Sequence, residues 1–419
     1  MTSPRRRIII IALLLTSLTG ALALYHFDQR AVPIKVGILH ALTGTMAISE
    51  QPVVDATLMA IEEINAAGGL LGRPIEPIVV DSRSDWSYAA QQAEALITQQ
   101  GVDVVFGCWT SACRRTVKPI FERLNSLLIY SVQYEGLEDS PNILYLGATP
   151  NQQIIPAVKW SLDNLGKRFY LIGSDYVFPH AANAIIRDQI TALHGVVVGE
   201  DYILLGSIDV TTAAERIIAA NPDVILNTIN GDSNIAFFKA LRNIGITPDR
   251  VPTMSFSISE SELQAIGIAN MVGNYAAWNY FQSVDTVENR DFVARFKKRY
   301  GADRVTNDPI ETAYSGVYLW AQAVRDAGTS ETTAVRQALD DQSLNTPGGI
   351  VSVDPATNQL WKTVRIGRIL PSGQFDIVWD SGNPIRPIPY PLSRSPAQWN
   401  TFLTNLYTKW HDNWANPGS

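Results

Sequence analysis

The sequence predicts an α/β protein with two Rossmann-like lobes, each built around a parallel sheet. Short apolar strand segments alternate with amphipathic helical segments, and the alternation restarts midway along the chain. Parallel strands need helical crossovers between them, and these crossovers are right-handed. Two successive series therefore indicate two sheets. The strand segments lie at 34–39, 75–80, 102–107 and 127–132 in the first series, and at 169–173, 196–198, 223–229 and 254–256 in the second.

The first crossover shows how each element is identified. The run from 34 to 39 is short and apolar, as expected for a buried strand. Leu58, Ile61 and Ile64 then recur at helical spacing, and Gly68 with Gly69 ends the helix. The same sequence of signals recurs in the later units.

The pattern changes after the second series. Helical segments at 288–300, 309–327 and 331–341 precede strand-like runs near 349–353, 361–369 and 374–379. A chain that returns to its first lobe and then to its second would show this order. We expect lobe 1 to comprise 32–150 plus 282–350, lobe 2 to comprise 151–281 plus 351–392, and a C-terminal tail helix to occupy 393–419.

The N-terminus has the order of a secretory signal peptide. A positive cluster, Arg5 to Arg7, precedes an apolar run from Ile8 to Leu24, and Ala21-Leu22-Ala23 has the small-x-small pattern of a cleavage site. We expect residues 1–23 to be a signal peptide and the mature chain to be periplasmic. The run is also long enough for an uncleaved membrane anchor, which stays an alternative.

Composition restricts the partners. The chain has 33 Lys and Arg against 40 Asp and Glu, and removal of residues 1–23 takes away three Arg, which leaves 30 against 40. A net charge near -10 argues against a nucleic-acid partner. The two cysteines, Cys108 and Cys113, are close enough to pair or could both be free, and without nearby His they predict no metal site.

Candidate ligand residues follow the ends of predicted strands. In open parallel sheets ligands bind beyond the carboxyl ends of the strands. Helix N-termini there offer free N–H groups, and aromatic side chains with a few polar groups are typical of small-ligand pockets. The loops contain Trp109, Thr110 and Ser111; Tyr130, Gln133 and Tyr134; Tyr176 and Phe178; and Asp232, next to Ser233 as a candidate helix cap.

Catalytic motifs are missing from the sequence. It contains no G-x-S-x-G, H-E-x-x-H, G-x-x-x-x-G-K-[ST] or G-x-G-x-x-G, and its five His show no metal-ligand spacing. His40 could reach a cleft from the end of the first strand. Glu50, Glu135 and Asp232 could form an acid/base set for hydrolysis, although hydrogen bonding to ligand N–H groups is the favoured role. We expect a binding protein without cofactor or catalytic residues.

At these loops the sequence resembles a known family. It is similar to type I periplasmic binding proteins of the branched-chain amino acid and amide class, and within that class to the urea-binding subunits of urea ABC importers. The matching stretches include GILHALTGTMAISE (37–50), GCWTSACRR (107–115), GSDYVFP (173–179), NTINGDSN (227–234) and WKTVRIGRI (361–369). The resemblance extends from about 34 to 392. Ser131 and Cys113 depart from the pattern that this family leads us to expect.

The resemblance implies a function. Two lobes joined by a hinge of three crossovers would close around urea or a short amide and deliver it to the membrane permease of an ABC importer. Alternatives are a sensing module that signals to a membrane kinase and a binder of small amino acids. Carried over by position, the pocket would use Trp109, Thr110, Ser111, Tyr130, Gln133, Tyr134, Tyr176, Phe178 and Asp232.

Overall fold

The computed structural model describes residues 32–418, and the predicted signal peptide or anchor lies outside this range. Within it, two separate sheets confirm the two-lobed α/β fold. The sheet of lobe 1 consists of β1 Ile34–His40, β2 Ile75–Asp81, β3 Val104–Gly107, β4 Leu128–Tyr130, β5 Ile143–Tyr145, β11 Ser343–Thr346, β12 Gly349–Asp354 and β13 Gln359–Trp361. These eight strands lie in the order β11-β12-β13-β5-β4-β3-β1-β2.

The sheet of lobe 2 consists of β6 Arg168–Ser174, β7 Val196–Ile203, β8 Val224–Thr228, β9 Thr253–Ser255, β10 Tyr275–Trp278, β14 Arg365–Ile369 and β15 Phe375–Asp380. These seven strands lie in the order β15-β14-β10-β9-β8-β6-β7. The strands from β6 to β10 pair in parallel, whereas β14 and β15 add an antiparallel edge.

Helices connect the strands and cover the sheets. The helices are α1 Ala47–Ala66, α2 Trp86–Thr98, α3 Ser111–Arg123, α4 Ile154–Asn164, α5 Val177–Ala192, α6 Thr211–Ala220, α7 Ser233–Asn243, α8 Glu260–Ile266, α9 Val287–Tyr300, α10 Asp308–Ala327, α11 Thr332–Leu339 and α12 Pro396–Lys409. In lobe 1, α1 packs against α10 and α2 against α3, while α4 packs against α5 in lobe 2. None of the helices within residues 32–418 has the length and apolarity that a membrane crossing requires.

Polar caps fix where key helices begin. The Thr110 side chain accepts a hydrogen bond from the Cys113 N–H at 3.1 Å, so α3 starts directly after the β3 loop. Asn307 caps α10 in the same way, with Pro309 in the first turn. Such caps satisfy backbone donors that have no partner inside the helix.

The chain crosses between the lobes three times, between β5 and α4, between β10 and α9, and between β13 and β14. Asn279 ties the crossovers together. Its side-chain amide donates to the Gln152 oxygen on the first crossover and to the Thr363 oxygen on the third, both at 3.0 Å. Its own N–H donates to Asp308 at 3.1 Å. These bonds link the three crossovers at the hinge.

The boundary that we predicted between the lobes at residue 350 is wrong. It falls inside β12, and both β12 and β13 pair in the sheet of lobe 1. The run 361–369, predicted as one strand, is divided at the third crossover between β13 and β14. A continuous apolar pattern predicts extended backbone, but it does not reveal that the strand changes sheets, because the pairing partners are distant in sequence.

Candidate functional site

The carboxyl ends of the two sheets meet, and the lobes touch there through polar side chains. Gln133 of lobe 1 donates a hydrogen bond to the Phe256 oxygen of lobe 2 at 2.9 Å. Ser49 donates to Glu262 at 2.8 Å, and the hydroxyl of Thr45 donates to Asp232. Three loops or helix ends of lobe 1 therefore contact lobe 2 directly.

A disulfide shapes the loop after β3. Cys108 and Cys113 are bonded, with their Cα atoms 5.7 Å apart, which resolves the alternatives that the sequence left open. Cys108 has a φ of 62° in the left-handed region. The disulfide encloses Trp109, Thr110 and Ser111 and joins the loop to the first turn of α3. The backbone of this segment is therefore held at both ends.

Trp109 is buried, and its indole N–H has no hydrogen-bond partner among residues 32–418. Its backbone oxygen accepts a hydrogen bond from the Tyr130 hydroxyl. The Tyr130 hydroxyl is thus used to support the loop after β3. Burial raises the pKa of this hydroxyl. The indole N–H of Trp109 is therefore a buried donor without a partner in the described residues.

Ser111 belongs to a buried ionic cluster. Its hydroxyl donates to Glu135, and it also accepts a hydrogen bond from Arg114 at 3.1 Å. Arg114 and Arg115 each pair with both Glu135 and Glu138. Burial acts to raise the pKa of Glu138, but the two guanidinium groups bring it below its usual range. The charges of the cluster are therefore paired, and the Ser111 hydroxyl links Arg114 to Glu135 within it.

The structure places Tyr134 in the core of lobe 1, which differs from the predicted ligand contact. Its ring stacks on Tyr145 with centroids 5.0 Å apart, and the Arg114 guanidinium lies 4.5 Å from the ring centroid. The Tyr134 hydroxyl accepts a hydrogen bond from Gln359. Its neighbour Gln133 points instead toward lobe 2, where its amide donates to the Phe256 oxygen.

The loop between β6 and α5 carries Tyr176 and Phe178. Both side chains are buried, and the ring centroid of Tyr176 lies 6.3 Å from that of Trp86 in lobe 1 and 6.3 Å from that of Phe178. Burial raises the pKa of the Tyr176 hydroxyl well above its usual range, so the group stays neutral. Tyr176 and Phe178 both belong to the core cluster of lobe 2, and Tyr176 also contacts Trp86 of lobe 1.

Asp232 is engaged by lobe 1. Its carboxylate accepts the Thr45 hydroxyl, and its N–H donates to the Thr45 oxygen at 3.3 Å. One oxygen of the carboxylate is therefore bonded to lobe 1, and the role of Asp232 as an acceptor for ligand N–H groups stays a prediction. Asp232, not Ser233, occupies the N-cap position of α7, and it caps without a side-chain bond.

Sequence reasoning missed two hydroxyl groups. Ser233, expected to be a cap, and Ser257, two residues beyond the end of β9, are buried, and neither hydroxyl has a partner in the described part of the chain. The strand-end rule that selected the other loops would have found Ser257. The unpartnered buried polar atoms near the facing strand ends include Trp109 Nε1, Gln133 Oε1, Ser233 Oγ and Ser257 Oγ, together with Asn279 Oδ1 at the hinge.

The carboxylates considered for acid/base chemistry have separate partners. Glu50 accepts from the His40 ring at 2.8 Å and from the Ala41 N–H at 2.9 Å. Glu135 is paired with the arginines of α3, and Asp232 with Thr45. His40 is thereby oriented by Glu50. Each of the three carboxylates thus has a structural partner, either within its own lobe or across the interface between the lobes.

Comparison with known proteins identifies the family. Residues 34–396 match the family described as periplasmic binding protein domain. Leu/Ile/Val-binding protein homolog 6 of Brucella melitensis is 22% identical over 346 residues, which are 80% of this chain and 87% of that protein. A shorter match of 120 residues, at 35% identity, links the chain to limonene hydroxylase of Geobacillus stearothermophilus. That match covers 29% of this chain and 22% of that protein, so it spans about a fifth of that relative.

A solved structure shares the fold. The solute-binding protein of an ABC transporter from R. palustris, in complex with 4-hydroxybenzoate, matches with a TM-score of 0.77 and 22% identity. The match covers 84% of this chain and 98% of that one. The family match and the two lobes joined by three crossovers agree with each other, and the chain belongs to the periplasmic binding protein family, with the type I fold.

Proposed function

We propose that this protein captures a small neutral molecule bearing N–H groups, urea or a short-chain amide, between its lobes and delivers it to the permease of an ABC importer. One observation carries the proposal. Four of the buried polar atoms without partners near the facing strand ends are an N–H donor on Trp109, an amide oxygen on Gln133, and the hydroxyls of Ser233 and Ser257. An amide offers the complement, a carbonyl acceptor and N–H donors.

Burial makes this complementarity matter. A buried polar atom without a hydrogen bond costs about 1–3 kcal/mol, so each of these atoms favours a ligand that supplies the bond. Trp109 Nε1 can donate to the carbonyl oxygen, and Gln133 Oε1 can accept from a ligand N–H. The Gln133 assignment is consistent with its other contact, because its amide nitrogen donates to a backbone oxygen. A molecule without an N–H or O–H donor would leave Gln133 unsatisfied.

Charge favours a neutral ligand. The R. palustris protein of the same fold was solved with 4-hydroxybenzoate, a carboxylate. Here Arg114 and Arg115 are already paired with Glu135 and Glu138. A carboxylate placed beside this balanced cluster would bring a buried charge without a partner, which costs several kcal/mol. A neutral amide avoids that cost.

The expected affinity follows from ligand size. The best small ligands reach about -1.5 kcal/mol per heavy atom, so urea is limited to roughly -6 kcal/mol. That free energy corresponds to a Kd on the order of 10–100 μM. The hydrogen bonds between the lobes form only when the lobes meet, so ligand capture and closure stabilise each other. A permease can then select the closed form.

Export completes the proposal. We propose that residues 1–23 are removed as a signal peptide, which places the mature protein in the periplasm. N-terminal sequencing of the purified protein should begin near residue 24. An intact N-terminus would favour the sensing alternative, in which the apolar run anchors a ligand-binding module in the membrane.

Isothermal titration calorimetry tests the ligand class. The mature protein is titrated with urea, acetamide, formamide, leucine, glutamate and 4-hydroxybenzoate. We expect urea or a short amide to bind and the charged compounds to fail. Binding of leucine or 4-hydroxybenzoate without any response to urea or amides would overturn the assignment. The same mixtures should release no ammonia, since we propose a binding protein and not a hydrolase.

A further inference from the structure

We infer that residues 411–418, near the C-terminus, are a positioning element of the ligand site. This C-terminal strap holds the loop that carries Tyr176, residues 174–178, and braces it against α3 of lobe 1. The inference rests on the proposed function in that Tyr176 lines the ligand space. The strap lies beyond residue 396, where the family match ends.

Backbone hydrogen bonds fix the loop to the strap. The Val177 N–H donates to the Trp414 oxygen at 2.9 Å, and the Asn416 N–H donates to the Asp175 oxygen at 3.0 Å. Tyr176 and Ala415 form an antiparallel bridge between these two bonds. The strap therefore acts as a short strand beside the loop, and it restricts the backbone on both sides of Tyr176.

A side-chain cluster reinforces this contact. The Asn416 amide donates to Asp175 Oδ2 at 2.7 Å, and the His180 Nε2 atom lies 2.7 Å from Asp175 Oδ1. The His180 ring stacks on Tyr202 at 3.6 Å and lies edge-on to Trp410 at 5.0 Å. Both carboxylate oxygens of Asp175 are thus occupied, one from the strap and one from α5. The loop and the strap share one hydrogen-bond network.

The strap also reaches lobe 1. The guanidinium carbon of Arg115 lies 5.0 Å from the ring centroid of Trp414, a cation–π contact. Arg115 is in α3, close to Trp109 and Ser111 in the chain. Further upstream, the Leu137 N–H of lobe 1 donates to the Pro389 oxygen at 2.9 Å. The C-terminal region therefore touches the ligand loops of both lobes.

Pre-organisation gives this arrangement its effect. A loop that is ordered before the ligand arrives avoids the entropic cost of ordering it during binding. We therefore expect the strap to strengthen ligand binding without touching the ligand. Loss of the strap would leave Tyr176 on a more mobile loop and would lower the affinity.

Two point variants and one truncation test the inference in the full mature chain. Asn416→Ala removes the side-chain hydrogen bond to Asp175, and Trp414→Ala removes the cation–π contact with Arg115. Truncation after Trp410 removes the whole strap and retains α12. Asn405→Ala is the matched control, since Asn405 is exposed on α12. The readouts are hydrogen exchange of residues 174–178 without ligand, the Kd for urea, and Tm.

The expected results separate positioning from stability. In the truncated protein, exchange of the Val177 amide should accelerate and the Kd for urea should rise about tenfold. A tenfold change corresponds to about 1.4 kcal/mol, which is the scale of one lost hydrogen bond. Asn405→Ala should change neither. Unaltered exchange in the truncated protein overturns the inference, as does faster exchange with an unaltered Kd. If wild-type protein binds neither urea nor an amide, the proposed ligand fails, while the exchange experiment still decides whether the strap holds the loop.

Discussion

The hydroxyl of Thr45, on lobe 1, donates a hydrogen bond to the carboxylate of Asp232, on lobe 2. The Asp232 N–H also donates to the Thr45 oxygen at 3.3 Å. The two residues belong to different lobes, so the contact exists only when the lobes meet. We interpret the pair as a latch of the closed state.

The latch makes a prediction that a double-mutant cycle can test. Asp232→Ala and Thr45→Ala should each weaken ligand binding by about 1–3 kcal/mol, because the closed form loses a partly buried hydrogen bond to a charged group. The double variant should bind about as well as either single variant, since both remove the same bond. Additive losses would show that Asp232 acts on the ligand itself. Calorimetry measures all four proteins.

The unpartnered hydroxyl of Ser257 allows a cleaner test of ligand contact. Ser257→Ala removes a group that bonds no other described residue, so the free energy of unfolding should stay nearly constant. Affinity should fall by about 0.5–1.5 kcal/mol if the hydroxyl bonds the ligand. Ser372→Ala, in an exposed turn between β14 and β15, is the matched control. Equal affinities of the two variants would exclude Ser257 from the site.

Removal of the disulfide should affect both stability and binding. A disulfide that closes a loop this short raises the free energy of the unfolded chain by about 2 kcal/mol, because it lowers its conformational entropy. Cys113→Ser should therefore lower the free energy of unfolding by that amount. Affinity should also fall, because the bond holds the segment that carries Trp109. Urea denaturation is unsuitable for a protein expected to bind urea, so guanidinium unfolding and calorimetry are the measurements. Reductant should lower the free energy of unfolding and the ligand affinity of the wild type, and it should leave both unaltered in Cys113→Ser.

Glu260 predicts a pH dependence of stability. Burial raises the pKa of this carboxyl from 4.5 to about 8, and one of its oxygens has no partner within residues 32–418. Between pH 4.5 and about pH 8, Glu260 keeps its proton in the folded protein but has released it in the unfolded chain. The free energy of unfolding therefore falls as pH rises through this window. Glu260→Gln removes this titration while it retains an oxygen for the Gln282 N–H.

Unfolding of Glu260→Gln and wild type should therefore be compared from pH 5 to pH 8. The variant should gain stability relative to wild type as pH rises through this window. The exposed Glu76→Gln serves as control and should show no such trend. A constant difference between wild type and Glu260→Gln across the range would mean that Glu260 is ionised in the folded protein.

The sequence determined the α/β fold, the two lobes and the loops at which they meet. Strand and helix periodicity are local properties, and strand ends of parallel sheets fall on one edge, so Trp109, Gln133 and Tyr176 could be placed there from the pattern alone. The same local pattern could not show that the run 361–369 changes sheets, because pairing joins strands that are distant in sequence.

Only the tertiary structure decided what each polar residue does. Tyr134 and Gln133 are neighbours, yet one stacks in a core and the other reaches the opposite lobe. Asp232 meets Thr45, and the hydroxyls of Ser233 and Ser257 remain without partners in the described chain. Residue type fixes which hydrogen bonds a side chain can make, but partners are set by packing between distant segments, and that packing determines which groups remain for a ligand.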